Sequence, residues 1–248
     1  MRIHVVNPNT SAAMTHSIAA AARRAAAPGT EIVAAGSSTG PASIESAFDE
    51  AMALPGLLLA VREAERAGVQ AHVIACFGDP GLAAARELAS VPVLGIAEAA
   101  MHVACLLAPS FSVITTLERT VPTAERLAWR YGFERQCRRV RATGLEVLAL
   151  EHAGKDETLA QRIEHACRLA LQEDRSAAIV LGCAGMGSLA DRLADALGVP
   201  VIDGVAAAVK LAEALAGARW RTSKRGDRAA PPHKPYTGAL AALATAAR

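Results

Sequence analysis

Residues 71–82 read A-H-V-I-A-C-F-G-D-P-G-L, and residues 178–189 read A-I-V-L-G-C-A-G-M-G-S-L. Each stretch is an apolar strand ending in a cysteine, followed by a glycine-containing turn and then a helix. The two helices lead to matching phrases, V-P-V-L-G-I-A-E-A-A at 91–100 and V-P-V-I-D-G-V-A-A-A at 199–208, offset by one added residue in the second helix. A unit that recurs after 107 residues (178 − 71) delivers Cys76 and Cys183 to equivalent places. The expectation is two facing halves with one thiol each.

Working outward, strands and helices alternate along the whole chain. Strands are expected at 2–6, 31–35, 111–115 and 138–141, with helices from Ser11 to about Ala27 and at 49–67, 97–107, 122–131, 157–172 and 204–216. Thr10 or Ser11 is the N-cap of the first helix. Pro55-Gly56 is a candidate interruption of the second. Residues 36–46, rich in Gly, Ser, Thr and Pro, read as a loop. This alternation predicts an α/β protein of two similar doubly wound parallel-sheet lobes, flavodoxin-like, with the active site in the cleft between them. The expected division is 1–96 plus 204–220 for the first lobe and 97–203 for the second. Residues 221–248 form an irregular C-terminal tail. Ligands of such sheets sit outside the carboxyl ends of the strands. Those ends carry Asn7 to Ser11, Cys76 to Gly78, Thr115-Thr116 and Cys183 to Gly185.

Composition narrows the function. With 248 residues, 52% of them apolar, the chain can bury a large core. Aromatics are 3% and the net charge is +2, which provides neither stacking platforms nor an electrostatic footprint for nucleic acid. The charge is uneven: residues 218–248 hold seven basic and one acidic side chain, or +6, leaving −4 on the rest. A solvated terminus is the plain reading of that tail. No apolar run approaches the roughly 20 residues that span a bilayer. Met1 leads directly into a strand, with no signal-peptide pattern. The five cysteines lack C-x-x-C or zinc spacing, so the expected setting is a reducing cytoplasm with free thiols and no metal.

A cysteine between a strand end and a helix is placed where the helix N-terminus favours its thiolate. Cys105, Cys137 and Cys167 lie in ordinary contexts and read as small buried hydrophobes. Cys76 and Cys183 lie at the duplicated turn, which that reading does not explain. Two thiols on opposite sides of one small molecule suit a reaction in which one removes a proton from carbon and the other returns a proton to the opposite face. No cofactor is needed. The enolate formed between these steps calls for hydrogen-bond donors. The backbone N–H groups of Phe77, Gly78, Ala184 and Gly185 are candidates, with Asn9, Thr10, Thr115 and Thr116 beside them. His72 reads as a satisfied core residue, Asp79 as a cap of the helix that follows it, and Glu98 and Asp203 as structural.

The motifs N-P-N-T-S at 7–11, A-C-F-G-D-P-G-L at 75–82, V-I-T-T-L at 113–117 and L-G-C-A-G-M at 181–186 together resemble the Asp/Glu/hydantoin racemase superfamily, in its hydantoin racemase branch. The phrase P-V-I-D-G-V-A-A-A-V-K-L at 200–211 resembles it too. The resemblance implies cofactor-independent, two-cysteine racemisation at C5 of 5-monosubstituted hydantoins by Cys76 and Cys183. It implies binding by the Asn9–Thr10 loop, Gly78, Thr115–Thr116 and Ala184–Gly185, and a homo-oligomer. Allantoin racemases, acting on 5-ureidohydantoin, are near neighbours of this branch and remain the alternative. A non-catalytic two-lobed binding module is the alternative of another class, and would not need two duplicated thiols. A thiol–disulfide redox protein would want C-x-x-C or a resolving cysteine.

Overall fold

The computed structural model describes residues 1–152, 154 and 156–244 of the chain. It contains two parallel four-stranded sheets of identical topology. The first has the order β2-β1-β3-β4, with β1 Arg2–Asn7, β2 Glu31–Gly36, β3 Ala71–Ile74 and β4 Val93–Gly95. The helices between its strands are α1 Ala12–Ala25, α2 Ala47–Arg66 and α3 Leu82–Leu88. Helix α4, Ile96–Leu107, leads to the second sheet. That sheet has the order β6-β5-β7-β8, with β5 Phe111–Thr115, β6 Cys137–Ala142, β7 Ile179–Leu181 and β8 Val201–Asp203. Its helices are α5 Val121–Arg130, α6 Glu157–Glu173 and α7 Ala190–Leu197, and α8, Gly204–Gly217, follows β8. The duplication seen at the two cysteine turns thus extends over four strands in each half.

Burial explains the continuous apolar strands. β3 and β7 are buried throughout, as parallel strands covered on both faces must be. One apolar cluster joins the halves: Val5 and Val73 of the first sheet, Val113 and Val180 of the second, and Ala100, Met101, Val205 and Ala208 of α4 and α8. A second cluster, with Ile114, Leu181, Ile163 and Leu193, covers the other face of the second sheet. A third, with Val6, Ile74, Leu57 and Leu82, does so for the first. Alanines dominate α4 and α8 because small side chains let these helices pack closely between the sheets.

One local expectation changes, and two become more definite. Pro55 lies inside α2 without ending it. The carbonyl that loses its partner belongs to Ala51, an exposed residue, where water can satisfy it. Gly56 is there for packing: a Cβ would lie 2.0 Å from Ser37 Oγ, so only glycine lets the 36–46 loop lie against the helix. The first helix is capped by Ser11, whose side chain accepts from Met14 N–H, and not by Thr10. The tail is irregular apart from short 3-10 turns at Gly226–Arg228 and Gly238–Leu243. Its first part is tied to the body: Thr222 Oγ1 donates to Val91 O, and Lys224 Nζ to Arg86 O and Glu87 O at the end of α3.

Candidate active site

In each sheet the chain starts at one central strand, steps outward, and then returns to the other side of that first strand. The carboxyl ends of β1 and β3, and of β5 and β7, are therefore the two switch points where loops diverge and leave a crevice. Both crevices open on one cavity of about 350 Å³. Asn9 and Cys76 reach it from the first sheet, and Thr115, Thr116 and Cys183 from the second. Phe77, Gly78 and Ala184 line it beside the thiols. The topology thus brings together eight of the ten residues singled out in the sequence.

The first side is organised by two asparagines. Asn7 Nδ2 donates to Asn9 Oδ1 at 2.7 Å and to Thr15 Oγ1 at 3.0 Å, and Ser11 N–H also donates to Asn9 Oδ1 at 3.0 Å. These bonds occupy the Asn9 carbonyl oxygen and leave its NH₂ free to donate into the cavity. On the second side Thr120 is the hub. Its hydroxyl lies 2.9 Å from that of Thr115 and 3.4 Å from that of Thr116, and donates to Leu117 O at 2.8 Å.

The thiols do not behave as the helix-dipole argument expected. Helix α3 begins only at Leu82, six residues after Cys76, and Cys183 precedes a short 3-10 turn, Ala184–Leu189. Burial dominates instead. It pushes Cys76 up to about 12 and Cys183 up to about 11. The Gly78 N–H on Cys76 and the Gly185 N–H on Cys183 offset part of that rise. Those two amides serve the sulfurs, so Phe77 and Ala184 are left as the backbone donors for a ligand. The Cys183 charge raises Cys76 further, which disfavours ionising both at once. Once Cys183 has ionised, its charge keeps Cys76 protonated.

Two candidates lie outside the cavity lining. Thr10 is exposed, and its hydroxyl donates to Pro41 O at 3.3 Å. Gly185 is buried, and a Cβ there would lie 2.9 Å from Leu150 Cβ. Asp79 does not cap the helix that follows it, whose N-cap is Gly81. Its carboxylate instead accepts from Ala97 N–H and Glu98 N–H at the start of α4 and from Tyr131 Oη. Asp203 caps α8, and Glu98 pairs with Arg86. His72 is buried, its ring nitrogens 3.0 Å from His4 Nδ1 and from Glu65 Oε2. Cys105, Cys137 and Cys167 take no part in the cavity.

Sequence reasoning missed the charged part of the wall. Glu45 and Glu50, at the end of the 36–46 loop and in the first turn of α2, line the cavity with Arg119 and Arg126 from the second half. Glu45 raises Cys183, and Glu50 raises Cys76. The polar mixture of the 36–46 loop carried no periodic signal that could have marked Glu45, and Glu50, Arg119 and Arg126 read as ordinary helix-surface charges.

A sequence model of the Asp/Glu/hydantoin racemase family matches residues 3–212. A hydantoin racemase of Rhizobium meliloti is 52% identical over 240 residues, 96% of this chain and 98% of its own. A hydantoin racemase of Pseudomonas sp. (strain NS671) is 45% identical over 240 residues, 97% of this chain and 96% of its own. The solved structure of an allantoin racemase from Klebsiella pneumoniae superposes with a TM-score of 0.94 at 53% identity, covering 98% of this chain and 99% of that one. On both the family match and these whole-length likenesses, the chain belongs to the Asp/Glu/hydantoin racemase family.

Proposed function

We propose that this racemase inverts C5 of 5-monosubstituted hydantoins, with Cys76 and Cys183 as its two bases. One thiolate takes the C5 proton, and the C–H electron pair moves toward the C4 carbonyl to form an enolate. The other thiol then gives its proton to the opposite face of C5, and the pair returns to carbon. The two sulfurs end with their protonation states exchanged. Burial serves this chemistry. It makes whichever thiolate forms a strong base, while mutual repulsion keeps its partner protonated as the acid. The Phe77 and Ala184 amides and the Asn9 NH₂ are the donors for the enolate oxygen, and the Thr115 and Thr116 hydroxyls, whose protons go to Thr120, present oxygens that accept from the ring N–H groups. The observation that supports this reading most is that both thiols line one cavity, one from each half of a duplicated fold. The relatives named as hydantoin racemases support the substrate class. The reading includes lobes of 1–96 plus 204–220 and 97–203, a homo-oligomer, no cofactor, and action in the cytoplasm.

A second reading within the same chemistry takes 5-ureidohydantoin as the substrate. The likeness to the Klebsiella allantoin racemase favours it, and so do Glu45, Glu50, Arg119 and Arg126 on the cavity wall, which suit a polar substituent. Polarimetry on single enantiomers of alkyl and aryl hydantoins and of allantoin decides between the two. Decay of rotation to zero with the first group supports the main reading. Decay with allantoin alone supports the second, and no decay with either removes both.

A further inference from the structure

The two halves cap their equivalent helices with a carboxylate, but from opposite partners. In the second half Asp203, at the end of β8, caps its own helix α8 by accepting from Val205 N–H at 3.0 Å and Ala206 N–H at 3.3 Å. The facing residue on the Cys183 turn is Gly187, where a Cβ would lie 2.8 Å from the Asp203 carboxylate. In the first half the helix N-cap is Gly95, which has no side chain to offer. The carboxylate comes from the cysteine turn instead: Asp79 accepts from Ala97 N–H at 3.0 Å and Glu98 N–H at 2.9 Å. A Cβ at Gly95 would lie 2.2 Å from Asp79 Cγ. The capping carboxylate is thus exchanged between positions: it stands at the strand end in the second half (Asp203, where the first half has Gly95) and on the cysteine turn in the first (Asp79, where the second half has Met186), with a glycine facing it in each.

The exchange has a mechanical consequence. In the first half the turn that carries the thiol is itself tied down. Asp79 N–H donates to Cys76 O at 3.0 Å, as Met186 N–H does to Cys183 O at 3.1 Å, but Asp79 alone of the two holds a left-handed φ, 45°, that a residue with a Cβ rarely adopts. The bonds from α4 secure that conformation. A third bond comes from the other half: Tyr131, at the C-cap of α5, donates its hydroxyl to Asp79 Oδ2 at 2.8 Å. Helix α5 supplies Pro122, Thr123, Ala124 and Arg126 to the cavity wall. Tyr131 therefore fixes that wall to the Cys76 turn. Among the described residues no side-chain hydroxyl bonds to the Cys183 turn or to Asp203.

We propose that Asp79 and Tyr131 are a positioning pair that sets Cys76, and not Cys183, against the bound ring. This rests on the two-thiol reading above. Neither residue lines the cavity, and both act through the Cys76 turn.

The test is C5 proton exchange in D₂O with each enantiomer of 5-benzylhydantoin, in single-thiol backgrounds. Cys183→Ser leaves exchange by Cys76 alone, and Cys76→Ser leaves exchange by Cys183 alone. Adding Tyr131→Phe should slow the Cys76 reaction by roughly 10- to 100-fold, the cost of a small misplacement. The Cys183 reaction should stay within about twofold, since neither Tyr131 nor Asp79 bonds to the turn that carries Cys183. Adding Asp79→Asn should repeat the pattern more strongly. Should a double variant fail to fold, the alkylation rate of Cys76 relative to Cys183 in Tyr131→Phe alone supplies the same comparison, with only Cys76 changed. Equal slowing of both reactions, slowing of the Cys183 reaction alone, or no slowing overturns the proposal while leaving two-thiol chemistry intact. Absence of opposite-face exchange in the single-thiol backgrounds themselves overturns the underlying reading instead.

Discussion

The Glu45 carboxylate accepts a 2.9 Å hydrogen bond from the Val147 N–H, joining the loop before α2 to the segment after β6. Both residues line the cavity, and the Glu45 charge raises the Cys183 thiol. Glu45→Gln keeps an oxygen for Val147 but removes the charge. The Cys183 thiol should then ionise at lower pH, and its alkylation at pH 9 should speed up by a few-fold. Cys76, which is raised by Glu50 and not by Glu45, should be unchanged. Peptide-resolved alkylation rates check this. An equal change at both cysteines would contradict it.

Gly95→Ala tests the buried carboxylate. The new Cβ would sit 2.2 Å from Asp79 Cγ, with Ala97 N–H and Glu98 N–H already bonded to that group. Asp79 must move and its three donors lose it. The expected cost is at the upper end of overpacking, about 3 kcal/mol in urea unfolding. Gly132→Ala, which meets nothing within 4 Å, is the comparison, although its φ of +80° carries strain of its own. Equal costs for the two would contradict this account.

These positions mark how far the sequence can be read. The duplicated strand–Cys–turn–helix unit was legible because buried parallel strands are continuous apolar runs, and because a repeat is visible without any structure. From it came the fold class, the two thiols and the four loops. Asp79 was misread because Asp-Pro normally announces a local cap, whereas its partner helix lies 18 residues on and lacks its own capping side chain. The thiol environment was misread for a related reason. A strand–Cys–turn pattern identifies the nearby helix but neither how far from the thiol it begins nor the desolvation that here raises both thiols. Pro55 was misread because the exposure of Ala51 cannot be seen from the residues around it.

The hydroxyl cluster on the second side should behave as a unit. Thr120→Val removes the group that Thr115 Oγ1 and Thr116 Oγ1 share. Both hydroxyls then lose their orientation toward the cavity. A fall in kcat/KM of about tenfold is expected, with roughly 1 kcal/mol lost in stability. Thr120→Ser, which retains the hydroxyl, should restore most of the activity. A Ser variant no better than Val would show that the methyl group, and not the hydrogen bonds, matters.

Raised thiols make a prediction about pH. Folding lifts Cys76 to about 12 and Cys183 to about 11 from an ordinary 9.0. Below pH 9 the folded and unfolded chains both hold these protons, and the contribution to stability is whole. From there up to the folded values the unfolded chain releases protons that the folded chain keeps, so stability falls as pH rises. Urea midpoints between pH 8 and 11 should fall less steeply in the Cys76→Ser, Cys183→Ser double variant. Identical slopes would contradict the burial account.

The central claim is that each thiol serves one face of C5, and it is tested most directly by the single variants in D₂O. Serine holds its proton far more tightly than cysteine, so racemisation, which needs one group to take and another to give, should be lost from both enantiomers in Cys76→Ser and in Cys183→Ser. The remaining thiolate can still remove and return a proton on its own side. Each variant should exchange the C5 proton of one enantiomer with retained configuration, and the two variants should choose opposite enantiomers. Both variants exchanging the same enantiomer, or either one racemising at near the parent rate, would contradict the account.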